Sequence, residues 1–126
     1  MLGKEIKTVL IVDDNRDAAD TLAMLIKHEG HRVETAYDSE VGLTLARQIK
    51  PDVIFHDIGM PIIDGYAAAR TLRKDPTFEK TVLVALTAYD ATQDRKRASL
   101  AGFDLHLTKT LDFDDVILAL GQTRPS

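Results

Sequence analysis

Asp13 and Asp14 stand directly after the apolar run Val9-Leu10-Ile11-Val12, and Asp57 closes a second run that begins Val53-Ile54-Phe55. If both runs are parallel strands covered on both faces, their C-terminal ends lie side by side and the three carboxylates converge on one crevice. Carboxylates that share a crevice raise one another's pKa unless a hard cation neutralises them. Mg²⁺ (or Mn²⁺) suits such a site, because it binds through a few carboxylates and keeps waters that a phosphoryl oxygen can displace. A carboxylate facing that cation and the ammonium of Lys109 is poised as a nucleophile towards phosphorus, and the product is an acyl phosphate. Each residue also has a plainer reading: Asp13 or Asp14 as a helix cap, Asp57 as a turn former before Gly59 and Pro61, Thr87 as a backbone partner, Lys109 as a solvated side chain. Their joint appearance at the ends of successive strands is what favours chemistry.

The elements that must position these residues follow from pattern. Five short segments rich in β-branched residues alternate with five of helical period, as in repeated βαβ units. Strands are expected near 7–12, 32–36, 52–56, 81–86 and 104–107. The runs around Leu10, Ile54 and Leu83 are continuously apolar and belong in the covered middle of a parallel sheet. His31-Arg32-Val33-Glu34-Thr35-Ala36 and Asp104-Leu105-His106-Leu107 alternate and belong at its edges. The spatial order is then 2-1-3-4-5, an α/β doubly wound, flavodoxin-like sheet flanked by five helices. In that order the winding reverses between strands one and three, where Asp13, Asp14 and Asp57 lie, and strands four and five bring Thr87 and Lys109 to the same rim.

Helix punctuation agrees. Asn15 or a neighbour caps the first helix, Leu22, Leu25 and Ile26 form its apolar stripe, and Gly30 ends it. Val41, Leu45 and Ile49 mark the second helix before Pro51. Asp64 caps the third, which carries Ala68, Ala69 and Leu72 and stops before Asp75-Pro76. The fourth is expected from about Ala91 to Ala101. The last starts near Asp112, with Phe113, Val116, Ile117 and Leu120 facing the core, and only the tail from Gln122 to Ser126 is expected to fray.

With 126 residues the chain has the size of one domain, spanning 1–126 with its core at about 6–121. The formal charge of −4 argues against nucleic acid as a partner, and the basic run Arg95-Lys96-Arg97 reads as a solvated helix face. The absence of cysteine excludes disulfides, thiolate metal sites and cysteine nucleophiles. No stretch has the ~18 apolar residues of a membrane span and the start is too charged for a signal peptide, so no membrane partner and a cytoplasmic location are expected.

The segments Val12-Asp13-Asp14-Asn15, Asp57-Ile58-Gly59-Met60-Pro61-Ile62-Ile63-Asp64-Gly65, Ala85-Leu86-Thr87-Ala88 and Leu107-Thr108-Lys109, in this order and at these separations, resemble the receiver domain of bacterial two-component response regulators of the chemotaxis-regulator type. The match covers nearly the whole chain, and Ala101 to Leu107 resembles receivers attached to hybrid histidine kinases. The resemblance implies a phosphorylation-dependent signalling switch rather than an enzyme in the usual sense. Asp57 would be the phosphoacceptor. Asp14 would hold the metal directly, Asp13 through water, with Asp57 and the main-chain carbonyl of Gly59 completing the set. Lys109 would pair with the phosphoryl group, Thr87 and a ring at the position of His106 would carry the switch, and Gly59 and Tyr89 would tune hydrolysis. The implied partners are a histidine kinase or histidine phosphotransfer protein as donor, and a downstream protein that meets the fourth helix, fifth strand and fifth helix. With the chain ending at Ser126, no output domain is expected within it.

Two residues depart from the family's pattern. His106 replaces the usual Tyr or Phe with a smaller ring that can titrate near neutrality. Thr110 replaces the proline that follows the lysine. A cis bond before a non-proline residue costs roughly 3 kcal/mol, against about 0.5–1 for X-Pro, so a trans bond and a rearranged loop are expected. These departures leave room for a receiver-fold interaction module with impaired switching. A Mg-dependent aspartyl phosphohydrolase is the other rival, although Gly59 stands where such enzymes usually carry a second acid.

Overall fold

The computed structural model describes residues 5–60, 64–88 and 92–124. Among them, five strands alternate with five helices: β1 (Thr8–Val12), α1 (Arg16–His28), β2 (Arg32–Ala36), α2 (Ser39–Ile49), β3 (Val53–Asp57), α3 (Gly65–Arg73), β4 (Val82–Thr87), α4 (Thr92–Ala101), β5 (Leu105–Thr108) and α5 (Phe113–Leu120). All neighbouring strands pair in parallel, in the order β2-β1-β3-β4-β5. The expected strands and their order are therefore correct, each boundary falling within about a residue of its expected place.

Strand alternation sorts the core into two layers. Leu10, Val12, Ile54, Leu83 and Ala85 face α2, α3 and α4, where they meet Ala46, Ala69, Leu72 and Ala98. Val9, Ile11, Phe55, Val84 and Leu86 face α1 and α5, against Leu22, Ile26, Val116 and Leu120. Among the described residues no helix is long and apolar enough to cross a membrane.

The caps of α1, α3 and α5 lie where expected, and Asp38 caps α2. The side chains of Asn15, Asp38, Asp64 and Asp112 accept from Ala18, Val41, Ala67 and Asp114 N–H groups, satisfying donors that the first helical turn leaves open. Gly30 has the expected positive φ, +96°. Buried faces differ in three places. On α2, Val41 is exposed and Leu45 and Ile49 only flank the core, because Ser39, Gly42 and Ala46 meet the sheet. A Cβ at Gly42 would lie 2.8 Å from Val12 Cγ2, so α2 sits too close to β1 for a large residue between them. Leu25 lies at the helix flank, in a groove between α1 and the loop before α5, and Phe113 sits half out of the core at the first turn of α5.

Two expectations about the C-terminal third are overturned. The Lys109–Thr110 peptide bond is cis, not trans. The chain is anchored on both sides of it: Lys109 N–H donates to Thr87 C=O at 2.7 Å, Lys109 Nζ reaches Asp13, and Asp112 caps α5. Tertiary contacts, not the residue's own preference, decide how this connection runs. Nor is the tail frayed as far as Arg124. Lys7 Nζ donates to Gln122 C=O at 3.0 Å, and Arg124 donates to Glu79 C=O and pairs with Asp104. Pro61, Tyr89, Ala91, Pro125 and Ser126, which carried expectations above, lie outside the described residues.

Candidate functional site

β1 and β3 are adjacent, with Val12 beside His56. The residues just past that pair, Asp13 and Asp57, emerge at the same level on the face that carries Ile11 and Phe55. Asp13 is held at both ends of its reach: its N–H donates to Ala36 C=O and its Oδ1 accepts from Asn15 N–H, both at 3.0 Å. Asp14 follows at the exposed rim. Asp13, Asp14 and Asp57 each offer a carboxylate oxygen, and these atoms lie within 4.8 Å of one another. The three acids singled out in the sequence therefore do meet.

Lys109, brought in by β5, lies over them. Its Nζ is 2.8 Å from Asp13 Oδ2 and 3.7 Å from Asp57 Oδ2. Burial alone would lower the Lys109 pKa, but the hydrogen bond to Asp13 and the charges of Asp57 and Asp13 outweigh it and raise the value above the ordinary lysine range. Asp57 is pushed the other way. Burial raises its carboxyl above the usual aspartate range and Asp13 adds to the rise, against the Gly59 N–H bond at 2.9 Å and the Lys109 charge, which stabilise the ionised form. Three carboxylates facing one ammonium leave negative charge unbalanced, and oxygen donors at this spacing fit a hard divalent cation.

α3 closes in beneath Asp57. A Cβ at Gly65 would fall 2.6 Å from Ile58 Cα and 2.8 Å from Asp57 C=O, so only glycine lets the start of α3 press against the backbone that carries Asp57. His56 points to the other sheet face, as alternation requires, and is buried. Its Nδ1 lies 2.7 Å from Asp57 C=O, and because a carbonyl can only accept, Nδ1 carries the proton. Burial lowers the His56 pKa, despite that bond and the charges of Asp13 and Asp64.

Thr87 is buried at the end of β4, and His106 is half-buried on β5 opposite Ala85. By alternation both side chains belong to the face covered by α4, whereas Lys109 belongs to the face of Asp13 and Asp57. The tie between Lys109 and Asp13, residues 96 apart in the chain, is not legible in the sequence, which sets the ammonium against the nucleophilic carboxylate and the phosphoryl group but not against Asp13.

Comparison with known proteins agrees with this geometry. Residues 9–121 match the response regulator receiver domain family. Protein PilH of Pseudomonas aeruginosa is 34% identical over 109 residues, which cover 86% of this chain and 90% of PilH. The probable transcriptional regulatory protein TcrX of Mycobacterium tuberculosis is 34% identical over 113 residues, 90% of this chain, and the chain spans about half of it (47%). Among solved structures, the receiver domain of sensor histidine kinase PA1611 from Pseudomonas aeruginosa, which has a magnesium ion coordinated in its active-site cleft, superposes with a TM-score of 0.83. It is 26% identical, over 92% of this chain and 95% of that one. The family match spans nearly the whole length, and the chain belongs to the response regulator receiver domain family.

Proposed function

We propose that this receiver domain is a phosphorylation-dependent switch in which Asp57 accepts a phosphoryl group from a histidine kinase or a histidine phosphotransfer protein in the cytoplasm. The observation that carries the reading is the meeting of Asp13, Asp14 and Asp57 within 4.8 Å under the Lys109 ammonium.

The roles follow from position. Asp14, the exposed member, and Asp57 would hold Mg²⁺ directly, and Asp13, already engaged by Lys109 and Asn15, would do so through water. The Gly59 carbonyl would complete the protein's ligands. Bound there, Mg²⁺ supplies neutralisation of the phosphoryl oxygens. The Gly59 N–H orients the Asp57 carboxylate, one oxygen of which attacks phosphorus as the P–N bond of the donor phosphohistidine breaks; the donor ring, protonated on its other nitrogen, takes the bond's electron pair and leaves as neutral imidazole, and Asp57 carries the acyl phosphate. Lys109, poised between Asp13 and Asp57, would then pair with the new phosphoryl group. Thr87 at the end of β4 and His106 on the adjoining strand would relay the change to α4, β5 and α5, and thereby to a downstream protein.

Incubation with acetyl phosphate and Mg²⁺, read by intact-mass spectrometry and peptide mapping, tests this. The expected result is a mass gain of one phosphoryl group at Asp57 that disappears when a chelator replaces the metal. Modification elsewhere, or none, would count against the switch.

A further inference from the structure

A second cation follows the acid pair closely in the chain, and its guanidinium is engaged by an aromatic ring. Arg16 is the first residue of α1, two positions after Asp14, and it is exposed. A cation there is disfavoured by the positive end of the helix dipole and is drawn towards the neighbouring carboxylates. Instead its guanidinium carbon lies 4.1 Å from the centroid of the Tyr37 ring. The same tyrosine donates its hydroxyl to Asp20 Oδ1 at 2.6 Å, so the ring lies across Arg16 and Asp20, which are four residues apart on α1. Tyr37 follows Ala36, the residue whose carbonyl binds Asp13 N–H, so its anchor belongs to the backbone that fixes the acid loop.

We propose that Tyr37 is a positioning residue for the cation site: its π face holds the Arg16 guanidinium off the Asp14 carboxylate, and its hydroxyl, through Asp20, keeps the ring in place. An arginine on Asp14 would occupy the position that a divalent cation needs, and the tyrosine keeps that carboxylate available. The inference rests on reading the cluster as a divalent-cation site.

The test is the Mg²⁺ affinity of the full chain, measured by titration calorimetry for wild type, Tyr37→Leu and Arg16→Gln/Tyr37→Leu. Tyr37→Leu is expected to bind about fivefold more weakly or worse, and the double variant to recover to within about twofold of wild type, because removing the competing charge removes the need for the ring. Should Tyr37→Leu not hold its fold, Tyr37→Met fills similar space without a π face and is read in the same way. A single variant that binds as tightly as wild type, or a double variant no better than the single one, overturns the role of Tyr37 and leaves the metal site standing. A wild-type chain that takes up no magnesium removes the metal site itself.

Discussion

Asp57→Asn is expected to abolish phosphoryl uptake outright and, at the same time, to raise the melting temperature of the metal-free protein by a few degrees. The first effect follows because the amide has no carboxylate oxygen with which to form the acyl phosphate. The second follows from the state of Asp57 in the fold, where burial and the Asp13 charge raise its pKa despite help from Gly59 and Lys109. The sign of the pH dependence is then fixed. In the window between the ordinary aspartate value and the raised folded one, the unfolded chain has already released the proton that the folded chain still holds. Wild-type stability therefore carries a contribution that is complete below the ordinary value and is lost as pH rises through the folded value. Asn has no such proton. Urea melts of both proteins across the acid-to-neutral range should give a difference curve that favours the variant increasingly as pH rises through that window. A variant of unchanged or lower stability at neutral pH would show that the acidic cluster is not under the charge stress described above.

The largest effect on stability is expected far from the site, at Arg73. This half-buried guanidinium at the end of α3 donates from Nε to Gly102 C=O, from Nη1 to Phe78 and Thr81 C=O, and from Nη2 to Asp104 Oδ2 at 2.7 Å. Asp104 in turn accepts from Leu83 N–H and pairs with Arg124. One side chain thus ties together the end of α3, the turn at Pro76–Phe78 and the starts of β4 and β5, and through Asp104 it is linked to the C-terminal segment. Its stem also occupies the space beside Gly102, where a Cβ would come within 2.5 Å of Arg73 Cγ. Arg73→Ala strips several carbonyls and a carboxylate of their donor at once, and is expected to cost about 3 kcal/mol. The urea midpoint should fall by roughly 1–2 M. Arg73→Lys keeps the charge but not the planar fork, so it should recover little of this loss. A cost below about 1 kcal/mol would mean that these groups find water or other partners when the guanidinium is removed.

What was legible in the sequence is what short-range pattern encodes. The continuous runs at Leu10, Ile54 and Leu83 identified the covered strands and the alternation at Val33 and Leu105 the edges, which together suggest the strand order observed. Once the order is known, residues one step past the strand ends must share a rim, which is why Asp13, Asp14 and Asp57 were found together. Features that depend on long-range side-chain geometry were not legible. Lys109 pairs with Asp13 across most of the chain, Arg73 gathers the carbonyls of Phe78, Thr81 and Gly102 and the Asp104 carboxylate, and Arg124 ties down a tail whose composition alone suggested fraying. At Val41, Leu25 and Phe113, helical periodicity locates an apolar stripe but not the part of it that meets the sheet; on α2 the close approach selects the small residues Gly42 and Ala46 for the contact. The cis bond before Thr110 is a case where a correct average preference is overridden by anchors on both sides, from Thr87 and Asp13 to the cap at Asp112.

The central claim is that three strand-end carboxylates form a divalent-cation site that makes Asp57 competent to accept phosphorus. Titration calorimetry of the folded protein with MgCl₂ tests it most directly, paired with the same titration of Asp14→Asn. The account predicts one saturable magnesium ion per chain in the wild type, a melting temperature that rises as the site fills, and little or no uptake in the variant. Wild-type protein that is folded yet takes up no magnesium, or a variant that binds it equally well, would contradict the account.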